Sequence, residues 1–166
     1  MVTVRHTFGQ AVIDCARSLR KTTRQARRPG IDARSCVDRP STLHVRDGEG
    51  RATARATPRG NGYVLVEVVG AIDISFRPEL ADVLTEAVDS GPPTLIVDLS
   101  AVTLLAAAGL GCLQEAAALL AARDGRLHLV CPPGSPAARV LRLLDPHDGW
   151  PRHRNVSAAV ATVGRG

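Results

Sequence analysis

The side chains that could do chemistry in this 166-residue chain are few: one Lys, four Cys and five His, with 16 Asp or Glu. His128 and Cys131 stand at a His-x-x-Cys spacing on one apolar run. A zinc site built on them would need two further ligands from elsewhere. Cys131 and Cys112 are instead expected as buried small hydrophobes, and the lack of any Cys-x-x-Cys pair fits a reducing compartment. His128 sits in a strand pattern, where a satisfied or edge histidine outweighs a general base. His147 and His153 flank Trp150 in a loop-like stretch and are expected to be solvated rather than catalytic. Gly109-Leu-Gly111 puts two glycines at a helix start without a third, a poor dinucleotide fingerprint. No Gly-x-x-x-x-Gly-Lys and no Gly-x-Ser-x-Gly occur, so neither a phosphate-binding loop nor a nucleophile elbow is available. The composition points away from an enzyme, and no cofactor or metal is expected.

Charge and hydropathy divide the chain. Thirteen of the 21 Lys and Arg but only five of the 16 Asp and Glu fall in residues 1–60, so that part carries +8 and the remainder −3. Leu, Ile, Val and Phe supply 10 of the first 60 residues and 33 of the last 106. The first density is too low to offset the entropy of ordering, and the second suffices for a core. Residues 1–50 are therefore expected as a basic, disordered segment, and residues 51–166 as one compact domain. Residues 8–28 can be drawn as a helix with Val12, Cys15, Ala16 and Leu19 on one side among arginines. A disordered leader is favoured over that drawing, and no DNA-reading motif is present, so direct nucleic-acid binding is not expected. No apolar run reaches the 18 residues of a membrane span, and a cytoplasmic protein is expected.

The elements that must position any site become legible from residue 51. An alternating run over 51–57, turn residues over 58–62 and a β-branched run over 63–69 predict a hairpin. Leu80, Val83, Leu84, Ala87 and Val88 recur at helical spacing over 79–88. A buried strand over 94–100 precedes a helix over 109–124, with Leu110, Leu113, Ala117 and Leu120 inward and Gly125 just past its end. A strand over 126–131 follows, then a helix from Pro136 to about residue 144 with Val140, Leu141 and Leu144 inward. A loop carries Trp150, and Asn155 or Ser157 can cap a last helix running to Val163. This order predicts an α/β fold: a small, open, mostly parallel sheet of four to five strands, covered by about four helices mainly on one face.

The stretch Asp98-Leu-Ser-Ala-Val-Thr-Leu-Leu-Ala-Ala-Ala-Gly-Leu-Gly111 resembles the signature of the STAS domain of bacterial anti-sigma factor antagonists, in which D-L-S-x-V leads through an apolar pair to D-S-S-G-L-G and a helix. Gly70-Ala-Ile-Asp73 is similar to the family's G-E-[LI]-D, residues 126–130 to its G-R-L-x-L-V strand, and the Gly-Trp-Pro at 149–151 to its G-L-x-x-L-F-P. The likeness covers about residues 50–164. It implies a STAS-like fold and a partner: an anti-sigma factor with a histidine-kinase-like ATPase fold, whose capture frees a sigma factor. In the family that partner phosphorylates the first serine of D-S-S-G and so ends the interaction. The matching positions here are Ala106 for the Asp, Ala107 for the phosphorylated Ser and Ala108 for the second Ser. The resemblance thus assigns partner contact to Asp73, Ala106, Ala107, Ala108, Gly109 and Leu110, with no phosphorylation at the family position.

Three alanines also leave the first amides of the following helix without a side-chain cap, worth about 1 kcal/mol. Two readings stand. Either the domain is locked in the equivalent of the unphosphorylated state and docks constitutively, which we favour, or the switch has decayed and the fold persists as a scaffold. A different class remains open beside them: a small-ligand or nucleotide sensor using the amides near Ala108 and Gly109 as an anion site.

Overall fold

The computed structural model describes residues 42–46, 48–144 and 149–164. Six strands and four helices follow in the order β1 (Leu43–Arg46), β2 (Ala52–Arg59), β3 (Tyr63–Ile72), α1 (Arg77–Ser90), β4 (Thr94–Leu105), α2 (Ala107–Ala121), β5 (Arg126–Val130), α3 (Pro136–Leu144), β6 (Arg152–His153) and α4 (Val156–Val163). The strands lie side by side in sequence order, β1 to β6. The first two pairings are antiparallel and the last three parallel. The expected hairpin is β2 and β3, closed by a turn in which the Gly62 amide donates to the Arg59 carbonyl at 3.3 Å. Pro58 lies beyond the residues that β1 pairs, where its missing N–H removes no ladder bond on that side.

The sheet has six strands against the four to five expected, and the two not placed from the sequence are its edges. β1, a four-residue Leu-His-Val-Arg alternation, lies ahead of residue 51, where the domain was expected to begin. β6 is two residues long and falls in the run taken as loop. Both are too short for a pattern to stand out. The segment 1–41 lies outside the described residues, as do His147 and the rest of 145–148.

Alternation along the strands builds two apolar layers. Ala52, Ala54 and Ala56 of β2, Val64, Val66 and Val68 of β3, and Leu95, Val97 and Leu99 of β4 face a large core shared with α1, α2 and α3. Tyr63, Leu65, Ile96 and Val130 face the other way, beneath α4. Three helices therefore cover one face and one helix covers part of the other.

Helix α1 buries the five residues its periodicity predicted. Helix α2 ends at Ala121 rather than Asp124, and it buries Cys112 and Ala116 while Ala117 is only half-buried. In an Ala-rich helix several stripes are equally apolar, and the packing of Leu110, Leu113 and Leu120 decides which turns inward. The left-handed residue after α2 is Asp124, at φ 56°, instead of Gly125. In α3 the buried residues are Ala137 and Leu141, with Val140 half-buried; the side chain of Leu144 lies outside the described ones. Asn155 caps α4, its Oδ1 accepting from the Ala158 amide at 2.8 Å.

Two irregularities in the β3–β4 pairing, between Glu67 and Val69 and between Gly70 and Ala71, bend the far end of this parallel pair. Gly70 takes φ +93°, and a Cβ there would run into the Arg51 carbonyl oxygen. β4 pairs β5 only through Thr94–Asp98, whereas its pairing with β3 continues to Leu105.

Candidate functional site

The residues singled out in the sequence meet at one end of the sheet. β3 and β4 finish side by side, Ile72 opposite Leu105, and the Ala106 amide donates to the Ile72 carbonyl at 2.9 Å. From there the chain turns into α2. Ala106 holds an extended backbone (φ −86°, ψ 168°) as the residue before the helix, and no side chain caps the first turn. The Ala106 carbonyl accepts from the Gly109 amide at 3.0 Å and the Leu110 amide at 3.2 Å, leaving the amides of Ala107 and Ala108 ahead of the helical ladder. Ala107 is exposed at the tip, Ala106 and Ala108 are half-buried, and Gly109 and Leu110 point into the core. Gly109 is where the helix meets the strands: a Cβ there would overlap Ile72 Cγ2 and stand 2.9 Å from Leu105 Cδ1. The absence of a side chain is what lets α2 start so close to the strand ends.

Asp73 lies just past β3, at the same end, and is already engaged. Its Oδ1 accepts from the Ser75 hydroxyl at 2.6 Å, the Ser75 amide at 2.9 Å and the Phe76 amide at 3.4 Å. These bonds, the hydroxyl first, hold its carboxyl below the ordinary carboxylate range. Asp73 thereby shapes the entry to α1, and through it the position of Ile74. That side chain is 73% exposed, and Leu104, next to last in β4, is 50% exposed. Sequence reasoning missed these two as surface residues because both sit in runs that read as core. Ile74, Leu104 and Ala107 are thus exposed at this end of the sheet, where the amides of Ala107 and Ala108 are uncapped. The positive end of the α2 dipole lies there and no acidic residue occupies the helix's first turn. Ser100 and Thr103, the nearest hydroxyls before α2 in the chain, are exposed on β4, with the Ser100 amide tied to Asp98 Oδ1 at 2.9 Å.

His128 is buried on β5, and its Nδ1 lies 3.0 Å from Nε2 of His153 on β6. One ring donates and the other accepts. Burial pushes both histidines below their ordinary value, and for His128 the neighbouring His153 and Arg126 add to the effect. His153 is thus half-buried and paired, contrary to the solvated loop residue expected, because the β5–β6 pairing carries it onto the sheet. Cys112 and Cys131 are buried free thiols whose burial raises them above the ordinary thiol value. Among the described residues no three His, Cys, Asp or Glu side chains gather to hold a metal, and no helix is long and apolar enough to cross a membrane.

The family described as "Mlab, STAS domain" matches residues 57–147, more than half of the chain, so the chain belongs to the STAS domain family. Among solved structures it is similar to an anti-sigma factor antagonist from Mycobacterium paratuberculosis, with 28% identity, TM-score 0.61, and coverage of 68% of this chain and 93% of that one. The fold is also that of the anti-sigma factor antagonist SpoIIAA in its unphosphorylated form (17% identity, TM-score 0.54, 68% and 98% covered). A putative anti-sigma factor antagonist from Thermotoga maritima shares it as well (17%, TM-score 0.56, 65% and 92%). A comparison with curated proteins finds no match.

Proposed function

We propose that this STAS domain is an anti-sigma factor antagonist whose binding surface is the end of the sheet around Ala107, and which captures an anti-sigma factor of kinase-like ATPase fold without being released by phosphorylation there. The observation that carries this reading is the exposed Ala107 at the uncapped start of α2, at the same end of the sheet as exposed Ile74 and Leu104. A methyl group in place of a hydroxyl leaves nothing for a kinase to modify. The surface remains apolar, with two amides ready for an acceptor on the partner. The likeness to an antagonist at 28% identity supports the kind of partner. Release of a sigma factor follows by competition, since an anti-sigma factor held here is withdrawn from its other complex.

The test is binding to the kinase-like anti-sigma factors of the same genome, measured with the purified full chain. Ala107→Asp places a charge at the contact and is expected to weaken binding by about tenfold or more without lowering the melting temperature. Ala107→Ser is expected to keep binding and to gain phosphorylation from the partner in the presence of ATP. Unchanged affinity of Ala107→Asp, or no binding by any such candidate, would overturn the reading.

A further inference from the structure

A groove of about 620 Å³ lies between the later half of α1 and the β1–β2 edge of the sheet. It belongs to the opposite end of α1 from the Ala107 site, so nothing in the proposed function accounts for it. Half-buried Leu43 and exposed Pro58 give it apolar walls over a floor of buried Ala56, Val64 and Ala87, and the exposed carboxylates of Asp82 and Glu86 stand along it. None of its lining residues is basic. The described ion pairs near α1 join Arg77 to Glu115 and Arg123 to Asp89, and neither involves Asp82 or Glu86. Arg123 donates to the Val88 carbonyl and pairs with Asp89 at the last turn of α1, so the charge along the groove is that of Asp82 and Glu86 themselves. Apolar walls call for an apolar side chain, and an unneutralised acidic rim calls for cations. An anionic lipid surface or a nucleic acid would be repelled.

We propose that this groove docks a short basic segment of a partner protein, with an apolar side chain against Leu43 and Pro58 and two cationic side chains paired with Asp82 and Glu86. The spacing suits an extended peptide. Side chains at i and i+4 of a helix are about 5–6 Å apart at Cβ, close to the about 6.7 Å between alternate residues of a strand. An Arg-x-Arg segment lying along α1 therefore meets both carboxylates in register, while the residue between them faces the strands.

The experiment uses the full chain and two fluorescein-labelled peptides, Ala-Arg-Leu-Arg-Ala and its Glu-for-Arg counterpart, followed by fluorescence anisotropy at about 0.05 M and about 0.3 M salt. The basic peptide is expected to bind, more weakly at high salt, and the acidic one not to bind. Asp82→Lys combined with Glu86→Lys should weaken binding about tenfold or more. Thr85→Trp, which fills the groove at an exposed lining position without changing charge, should weaken it as well. Circular dichroism melts of both variants should match the parent. Binding that survives the double charge reversal overturns the proposal. So does insensitivity to Thr85→Trp, which would reduce the groove to a patch of negative potential. Tighter binding after Arg17, Arg20 and Arg24 are changed to Gln would assign the groove to the chain's own basic residues and overturn the partner.

Discussion

Two glycines of α2, two residues apart, should respond in opposite ways to the same substitution. Replacing a helical glycine by alanine gains about 0.5–1 kcal/mol from lost chain entropy and helix propensity. At Gly111 nothing lies within 4 Å of the added Cβ, so Gly111→Ala should realise that gain. At Gly109 the Cβ would overlap Ile72 Cγ2 and press on Leu105 Cδ1 at 2.9 Å. These side chains are 0% and 3% exposed, fixed at the ends of two paired strands, and cannot swing aside. Overpacking of this kind costs about 1–3 kcal/mol, partly offset by the same propensity gain. Gly109→Ala should therefore be less stable than Gly111→Ala by about 1–3 kcal/mol, a difference of roughly 2–12 °C in melting temperature for a chain of this size. Urea unfolding of both variants, with slopes compared so that a change of denatured state is not mistaken for stability, gives the difference directly. Equal stability, or a more stable Gly109→Ala, would mean that α2 does not start against Ile72 and Leu105, and the description of the site would fail with it.

Two further outcomes follow from the opposite face and the sheet edge. Asn155→Ala removes the cap of α4 and should cost about 1 kcal/mol. Hydrogen exchange should report this first in α4 and then in the strand residues beneath it. The paired histidines should make the fold sensitive to mild acid. Both titrate below their ordinary value of 6.5 when folded, so the unfolded chain binds more protons as pH falls. The contribution of the histidine pair should be level above pH 6.5 and decline as pH drops from there through the depressed values. Urea midpoints between neutral pH and mild acid check this, with the His128→Leu, His153→Leu double variant expected to show a shallower decline.

Much of the fold can be read from spacing alone where the spacing is unambiguous. α1 repeats large apolar residues at helical intervals, and all five face the core. The parallel arrangement follows from strands alternating with helices. Where the code is degenerate, reading fails. In α2 alanine occupies several stripes, and the stripe that turns inward depends on contacts with α1 and β4 that no local pattern records. The edge strands rest on pairing between distant segments: Leu43 is opposite Ala56, and Val130 opposite His153. The His128–His153 contact is hidden for the same reason, since it exists only through the β5–β6 register. The candidate site was assigned through the likeness of residues 70–73 and 98–111 to the family's motifs, and those residues end strands and open a helix. Its apolar character, however, depends on Ile74 and Leu104 turning outward. Asp73 had been read as a contact for a partner, and its hydrogen bonds add a local duty that composition could not reveal.

The unequal pairing of β4 gives the molecule a mechanical gradient. Its first residues, Thr94–Asp98, are clamped between two neighbours, whereas the stretch from Ala101 to Leu105 is stitched to β3 alone, across two irregularities. The strand is thus held from both sides at its root and from one side at its end, where Ala106 and the start of α2 follow. Amides near Ala101–Leu105 should then exchange with solvent sooner than those of Thr94–Asp98, and should be the ones that slow when a partner sits on the tip.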